Sequence, residues 1–145
     1  MKKTIQSILS VALALLMLLG ICSLAACKEP TPTDVLWEEA TYTEDTTLGS
    51  GSKTITVKVS AGEKSITFTL RTDKENLADA MLEEGLVEGE DGQFGLYVKK
   101  VNGILADYDV DQTYWGLTEN GETTATGASG VMVKDGAVYE FKRSK

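Results

Sequence analysis

Two apolar alternations constrain this chain more than any other feature. Ile55, Val57 and Val59 alternate with Thr56 and Lys58, and Ile66, Phe68 and Leu70 alternate with Thr67 and Thr69. Side chains on a strand point to opposite faces with a period of two, so each run presents one apolar and one wet face. Ser60, Ala61, Gly62 and Glu63 lie between them and supply a turn. The pair therefore reads as a β-hairpin with one face to bury. A cover for that face follows directly. Thr72, Asp73, Lys74 and Glu75 have the spacing of a capping box, in which a hydroxyl and a carboxylate satisfy orphan N–H groups at a helix start. Leu77, Ala78, Met81 and Leu82 then recur at helical spacing, and Gly85 with Leu86 reads as a helix stop closed by a hydrophobic contact.

The remainder reads as short strands. Residues 88–93 are an acidic, glycine-containing connection, residues 96–101 a strand, and Asn102-Gly103 a tight turn into Ile104 and Leu105. A further strand spans residues 114–118. Asn120-Gly121 is a strong hairpin signal, because a type I′ turn needs positive φ at both central residues. Lys134, Asp135 and Gly136 make a last turn before a terminal strand at 138–141. The sum is an α+β domain over residues 53–145, a β-grasp-like mixed sheet of short strands packed on one helix. Residues 27–52 hold Pro30, Pro32 and the Gly49, Ser50, Gly51, Ser52 stretch, and read as a linker. Within it, residues 36–42 carry Trp37 and Tyr42, which are costly to leave in water. This segment either docks as an extra edge strand or remains part of the tether.

Lys2 and Lys3 precede an apolar run over residues 8–21. That run is about 14 residues long, short of the roughly 20 a spanning helix needs, and has the layout of a signal peptide. Leu24, Ala25, Ala26 and Cys27 resemble a bacterial lipobox, in which the cysteine thiol receives a lipid before cleavage on its N-terminal side. The expectation is a signal peptide at 1–26, lipidation at Cys27, and a domain held on the extracytoplasmic face of the cell membrane, since two acyl chains anchor stably.

Loss of that segment removes Lys2 and Lys3 and takes the formal charge from −8 to −10. So acidic a domain is a poor partner for nucleic acid or anionic lipid. Cys22 leaves with the signal and Cys27 is consumed by lipid, so the folded unit has no thiol and no disulfide. The chain contains no histidine. Histidine-based acid/base chemistry, Ser-His-Asp and Cys-His nucleophiles and most catalytic zinc sites are thereby excluded. The reading is a non-enzymatic module that requires no cofactor.

Gly95, Leu96, Tyr97 and Val98, then Val101, Asn102 and Gly103, Ala106 and Asp107, Tyr114, Trp115, Gly116 and Leu117, Asn120, Gly121 and Glu122, Gly127, and Lys134, Asp135 and Gly136 with Tyr139, Glu140 and Phe141 resemble the DUF4430 domain. That family is similar to the C-terminal domain of transcobalamin and intrinsic factor, the animal carriers of vitamin B12. The resemblance implies a β-domain that closes over one face of cobalamin or a related corrinoid, and carries ligand contact onto Tyr114, Trp115 and Leu117. Alternation alone puts Tyr114 and Trp115 on opposite faces, and aromatic residues on a small sheet also serve as cross-strand packing. A second expectation is a protein- or glycan-interaction module holding another envelope protein. Asp107, Asp109 and Asp111 form a D-x-D-x-D run like the first half of a calcium loop. Gln112 and Thr118 stand where that loop would have Gly and Glu, so a solvated acidic loop competes with weak cation binding.

Overall fold

In the computed structural model, which describes residues 29–145, the two alternating runs form β2 (Lys53–Ala61) and β3 (Lys64–Thr72). Their register sets Ile55 opposite Leu70, Val57 opposite Phe68 and Val59 opposite Ile66, and all six are buried. Gly62, at φ +62°, supplies the positive φ that a two-residue hairpin loop demands at its first position. Residues 1–26, expected to be a signal peptide, and Cys27 fall outside the described residues. Among the described residues no helix is long and apolar enough to cross a membrane.

The hairpin is extended on both sides into a mixed six-stranded sheet. On one side lies β1 (Thr46–Gly49), parallel to β3. On the other lies β9 (Val138–Ser144), parallel to β2, then β7 (Tyr114–Glu119) and β8 (Glu122–Thr123) in antiparallel order. A second, three-stranded sheet is formed by β4 (Val87–Gly92), β5 (Gly95–Val101) and β6 (Ile104–Leu105). Both Asn-Gly pairs make the expected type I′ turns, with φ of 53° and 79° at Asn102 and Gly103 and 48° and 86° at Asn120 and Gly121.

Helix α2 (Leu77–Glu83) buries Leu77, Ala78, Ala80 and Met81, whereas Leu82 remains largely exposed. Its cap is not Thr72. That residue ends β3 and its backbone is committed to the sheet, so its hydroxyl accepts only the Lys74 N–H. Asn76 caps the helix instead: its Oδ1 accepts the Asp79 N–H at 2.8 Å and its Nδ2 donates to Asp79 Oδ2 at 2.9 Å. At the other end Gly85, at φ +66°, donates to the Leu82 carbonyl and Leu86 to that of Met81, a Schellman closure.

Two further segments differ from expectation. Residues 36–42 do not form an edge strand. Pro32 opens a short helix, α1 (Pro32–Trp37), because its missing N–H costs nothing at a first helical position. The helix carries Trp37 onto the end of the hairpin, where the ring is buried and its N–H donates to the Ala61 carbonyl at 2.9 Å. Tyr42 sets its ring edge-on against Phe68, with centroids 5.5 Å apart. The edge position is taken by β1, so the compact unit begins at Pro32 and includes residues whose composition reads as linker. Residues 88–93 are likewise not a plain connection, since most of them form β4. Every β4 residue but Val87 is exposed, so no apolar alternation announces it. Gly89 sits at a bulge where a Cβ would collide with the Tyr97 carbonyl oxygen.

Candidate functional site

The two sheets meet where β5 passes β7. Along β7 the side chains alternate: Trp115 and Leu117 are buried, while Tyr114 is 44% exposed. Trp115 Nε1 donates to the Lys99 carbonyl at 3.2 Å and so ties one sheet to the other. Arg143 adds a second tie, from Nε to the Leu105 carbonyl at 2.9 Å. A third comes from the 3₁₀ turn Ala128–Gly130, whose Ser129 hydroxyl accepts the Leu96 N–H at 3.0 Å. These ties hold open an apolar cavity of about 210 Å³ lined by Leu96, Tyr97, Tyr114, Trp115, Leu117 and Ala128, among others. All three residues singled out on β7 line it. Tyr114 and Trp115 differ in burial as alternation requires, yet both reach this one cavity.

A second cavity, of about 450 Å³, adjoins the first at Gly127 and lies beside Phe94. Phe94 sits in the β4–β5 turn and is 91% exposed. The two cavities together fall within the size range of small-molecule sites, about 300–1,000 Å³. A third, of about 350 Å³, shares Ala125, Thr126 and Gly130 with the second and is lined by Glu119, Thr123 and Lys134. Loop residues 124–130 are therefore a common wall. Neither the strand pattern nor the resemblance gives Leu96, Tyr97 or Phe94 a ligand-contacting role. The signal for Phe94 is a large aromatic between Gly92-Gln93 and Gly95, where a turn leaves it nothing to pack on.

The aspartate run has a different fate. It forms helix α3 (Tyr108–Asp111), with Asp107 as its cap accepting the Asp109 N–H at 3.0 Å. Asp111 accepts from the Thr113 hydroxyl and N–H and pairs with Arg143 at 2.9 Å. The Thr113 hydroxyl, followed by the Thr113 N–H and the Arg143 charge, holds the Asp111 carboxyl below its ordinary value of 3.8. The bond that Asp111 makes is structural, fixing α3 to β9. Among the described residues no three His, Cys, Asp or Glu side chains converge on a metal-sized site.

A depressed carboxyl pKa stabilises the fold above the unfolded-state value and loses that contribution as pH falls through the folded one. Wild-type stability should therefore decline in acid below about pH 4, and Asp111→Asn should flatten that decline. Urea midpoints compared at about pH 6 and about pH 3 would test it. An unchanged acid slope in the variant would assign the decline to other carboxylates.

The DUF4430 family, described as a domain of unknown function, matches residues 74–145. A solved protein from Ruminococcus gnavus ATCC 29149, given a provisional metal-binding role, shares 35% identity and superposes with a TM-score of 0.62. The match covers 65% of this chain and 98% of that one. Haptocorrin, solved in complex with Cbi, has the same fold at 21% identity and a TM-score of 0.55. That match covers 68% of this chain but 26% of haptocorrin, so most of haptocorrin lies outside the likeness. No curated protein matches the chain. With its match over residues 74–145 and a 35% identical relative spanned almost end to end, the chain belongs to the DUF4430 family.

Proposed function

We propose that this chain is a lipid-anchored, extracytoplasmic ligand-binding module that takes a corrinoid, such as cobalamin, against the cavity between β5 and β7. The observation that carries the reading is the convergence of Tyr114, Trp115 and Leu117 on one apolar cavity flanked by the exposed rings of Tyr97 and Phe94. Exposed aromatic rings beside a concave apolar surface suit a flat, partly apolar ligand, because they add stacking to burial. The fold shared with haptocorrin, whose complex holds Cbi, supports the choice of ligand class. A corrin ring exceeds the 210 Å³ cavity, so it would lie across the opening with one edge seated. Binding would be one-sided, and a partner protein in the envelope would complete the enclosure. The lipid on Cys27 would keep the module at the membrane, and the lack of histidine and of a thiol in the folded unit suits capture better than catalysis.

Titration of the full-length protein with cobinamide and with cobalamin, followed by corrin absorbance, tests this. Tyr114→Ala should weaken binding about tenfold, the scale of one lost aromatic contact and its burial. Its unfolding midpoint should stay near wild type, because the ring is half in solvent. No spectral change at tens of micromolar wild-type protein would overturn the corrinoid reading.

A further inference from the structure

The course of residues 32–52 determines how far the domain can stand from a lipid on Cys27. By composition alone residues 27–52 are a linker, and that length fully extended would reach about 90 Å. The fold absorbs most of it. Residues 32–37 form α1, Tyr42 is clasped by Asn102, and residues 46–49 are β1. Pro32 is the fifth residue after Cys27, so the chain between them reaches about 18 Å at most. Helix α1 is fixed at one end of the larger sheet. Trp37 Nε1 donates to the Ala61 carbonyl at 2.9 Å and the Glu63 N–H donates to the Thr33 hydroxyl at 3.3 Å, so the helix is held on the turn of the β2–β3 hairpin. Beside that turn Ser60 pairs with Lys142 on β9 and Lys142 with Gly116 on β7, while Arg143 reaches Asp111 of α3. The hairpin turn, α1, α3, Tyr114 and residues 142–145 therefore share one end. Ser50 follows β1 at the other, where Gly49 pairs with Arg71 and Lys53 with Thr72. The nine-residue strands β2 and β3 separate the two ends by about 27 Å.

We propose that the hairpin-turn end of the domain rests on the bilayer that holds the Cys27 lipid, with Tyr108 and Val110 of α3 in the headgroup region. The inference rests on lipidation of Cys27, as the proposed function does. Two acyl chains keep the anchored residue at the membrane surface, and about 18 Å of chain then brings α1 and the hairpin turn down with it. Turning the domain over would require the tether to run the length of the sheet, about 27 Å, which is more than it has. The surface at this end suits the contact. Val110 is 79% exposed, and Tyr108 and Val35 are more than half exposed. Apolar side chains and tyrosine rings are at home at the level of the headgroups. The domain is acidic, so the tether, rather than attraction to lipid charge, is what holds this end down. Tyr114 lies at the same end and lines the cavity between β5 and β7. A ligand seated against it is thereby presented close to the bilayer instead of on a long leash.

Single cysteines test this, because the folded unit has no thiol of its own and a lipid on Cys27 blocks that one. Glu63→Cys, Val110→Cys and Ser50→Cys replace exposed residues, the first two at the hairpin-turn end and the third at the opposite end. Each is made in the full-length protein, processed by the cell, labelled with a thiol-reactive fluorophore and reconstituted into phosphatidylcholine vesicles that contain a headgroup-attached spin label as quencher. Labels at positions 63 and 110 should be quenched several times more strongly than the label at position 50. Equal quenching at the three positions, or stronger quenching at position 50, in protein that floats with the vesicles would overturn the orientation and leave the anchor standing. Protein that does not float with the vesicles would take down the anchor and the orientation together.

Discussion

Replacing Trp37 by alanine should cost the domain about 4 kcal/mol, the scale of emptying a buried tryptophan site. The ring is 5% exposed and packs at the turn end of the β2–β3 hairpin. Its N–H is the partner of the Ala61 carbonyl at 2.9 Å, so truncation also strands an acceptor next to the hairpin turn. Lys64 Nζ lies 4.8 Å from the ring centroid, and this contact would go as well. Trp37→Phe separates the contributions: it keeps most of the apolar burial, loses the N–H, and should cost about 1–2 kcal/mol. Urea denaturation of the three proteins measures both differences. A Trp37→Ala variant within about 1 kcal/mol of wild type would mean that residues 32–42 lie on the domain without stabilising it.

Asn102→Ala should be comparably damaging, at about 3–5 kcal/mol, for a reason unrelated to size. Asn102 is fully buried at the first position of the β5–β6 turn and serves the N-terminal segment with its side-chain amide and its carbonyl. Its Oδ1 accepts the Tyr42 N–H at 2.9 Å, its Nδ2 donates to the Tyr42 carbonyl at 2.8 Å, and its own carbonyl accepts the Thr41 N–H at 2.9 Å. Its N–H donates to the Leu86 carbonyl at 2.7 Å. Alanine abolishes both side-chain bonds and resists the φ of +53°. Glycine relieves the backbone conformation but not the lost bonds, so Asn102→Gly should lie between alanine and wild type. Aspartate adopts the turn yet cannot donate to the Tyr42 carbonyl, and should be destabilising as well. Equal stability of the glycine and wild-type proteins would show that the turn conformation, not the clasp on Tyr42, is what Asn102 provides.

These two residues mark where the sequence stops being legible. Elements defined by local pattern are readable: the hairpin from the alternation of Ile55 to Leu70, both type I′ turns from their Asn-Gly pairs, and the helix stop from Gly85 and Leu86. Elements held in place by distant partners are not. β4 carries glutamates and glycines with no apolar face and is a strand because β5 offers it a ladder. β1 is polar and short, and its pairing is with β3. Trp37 is recognisable as a residue that must find cover, but the Ala61 carbonyl and the end of the hairpin exist only in three dimensions. The same division holds for the site. Alternation along β7 separates Tyr114 from Trp115, whereas the opposing wall of Leu96, Tyr97 and Ala128 depends on Ser129 clasping the Leu96 N–H. Glu119 and Lys134 meet across a loop whose path no periodicity encodes.

The parallel pairing of β2 with β9 bears on how the molecule comes into being. Residues 56–60 sit beside residues 138–142 in the middle of the larger sheet, so the earliest long strand waits for nearly the last residues of the chain. Joining segments so far apart in sequence makes for slow folding compared with local pairing. Until β9 arrives, β7 and β8 have no strand linking them to the hairpin, and the rims of the cavity between β5 and β7 are unassembled.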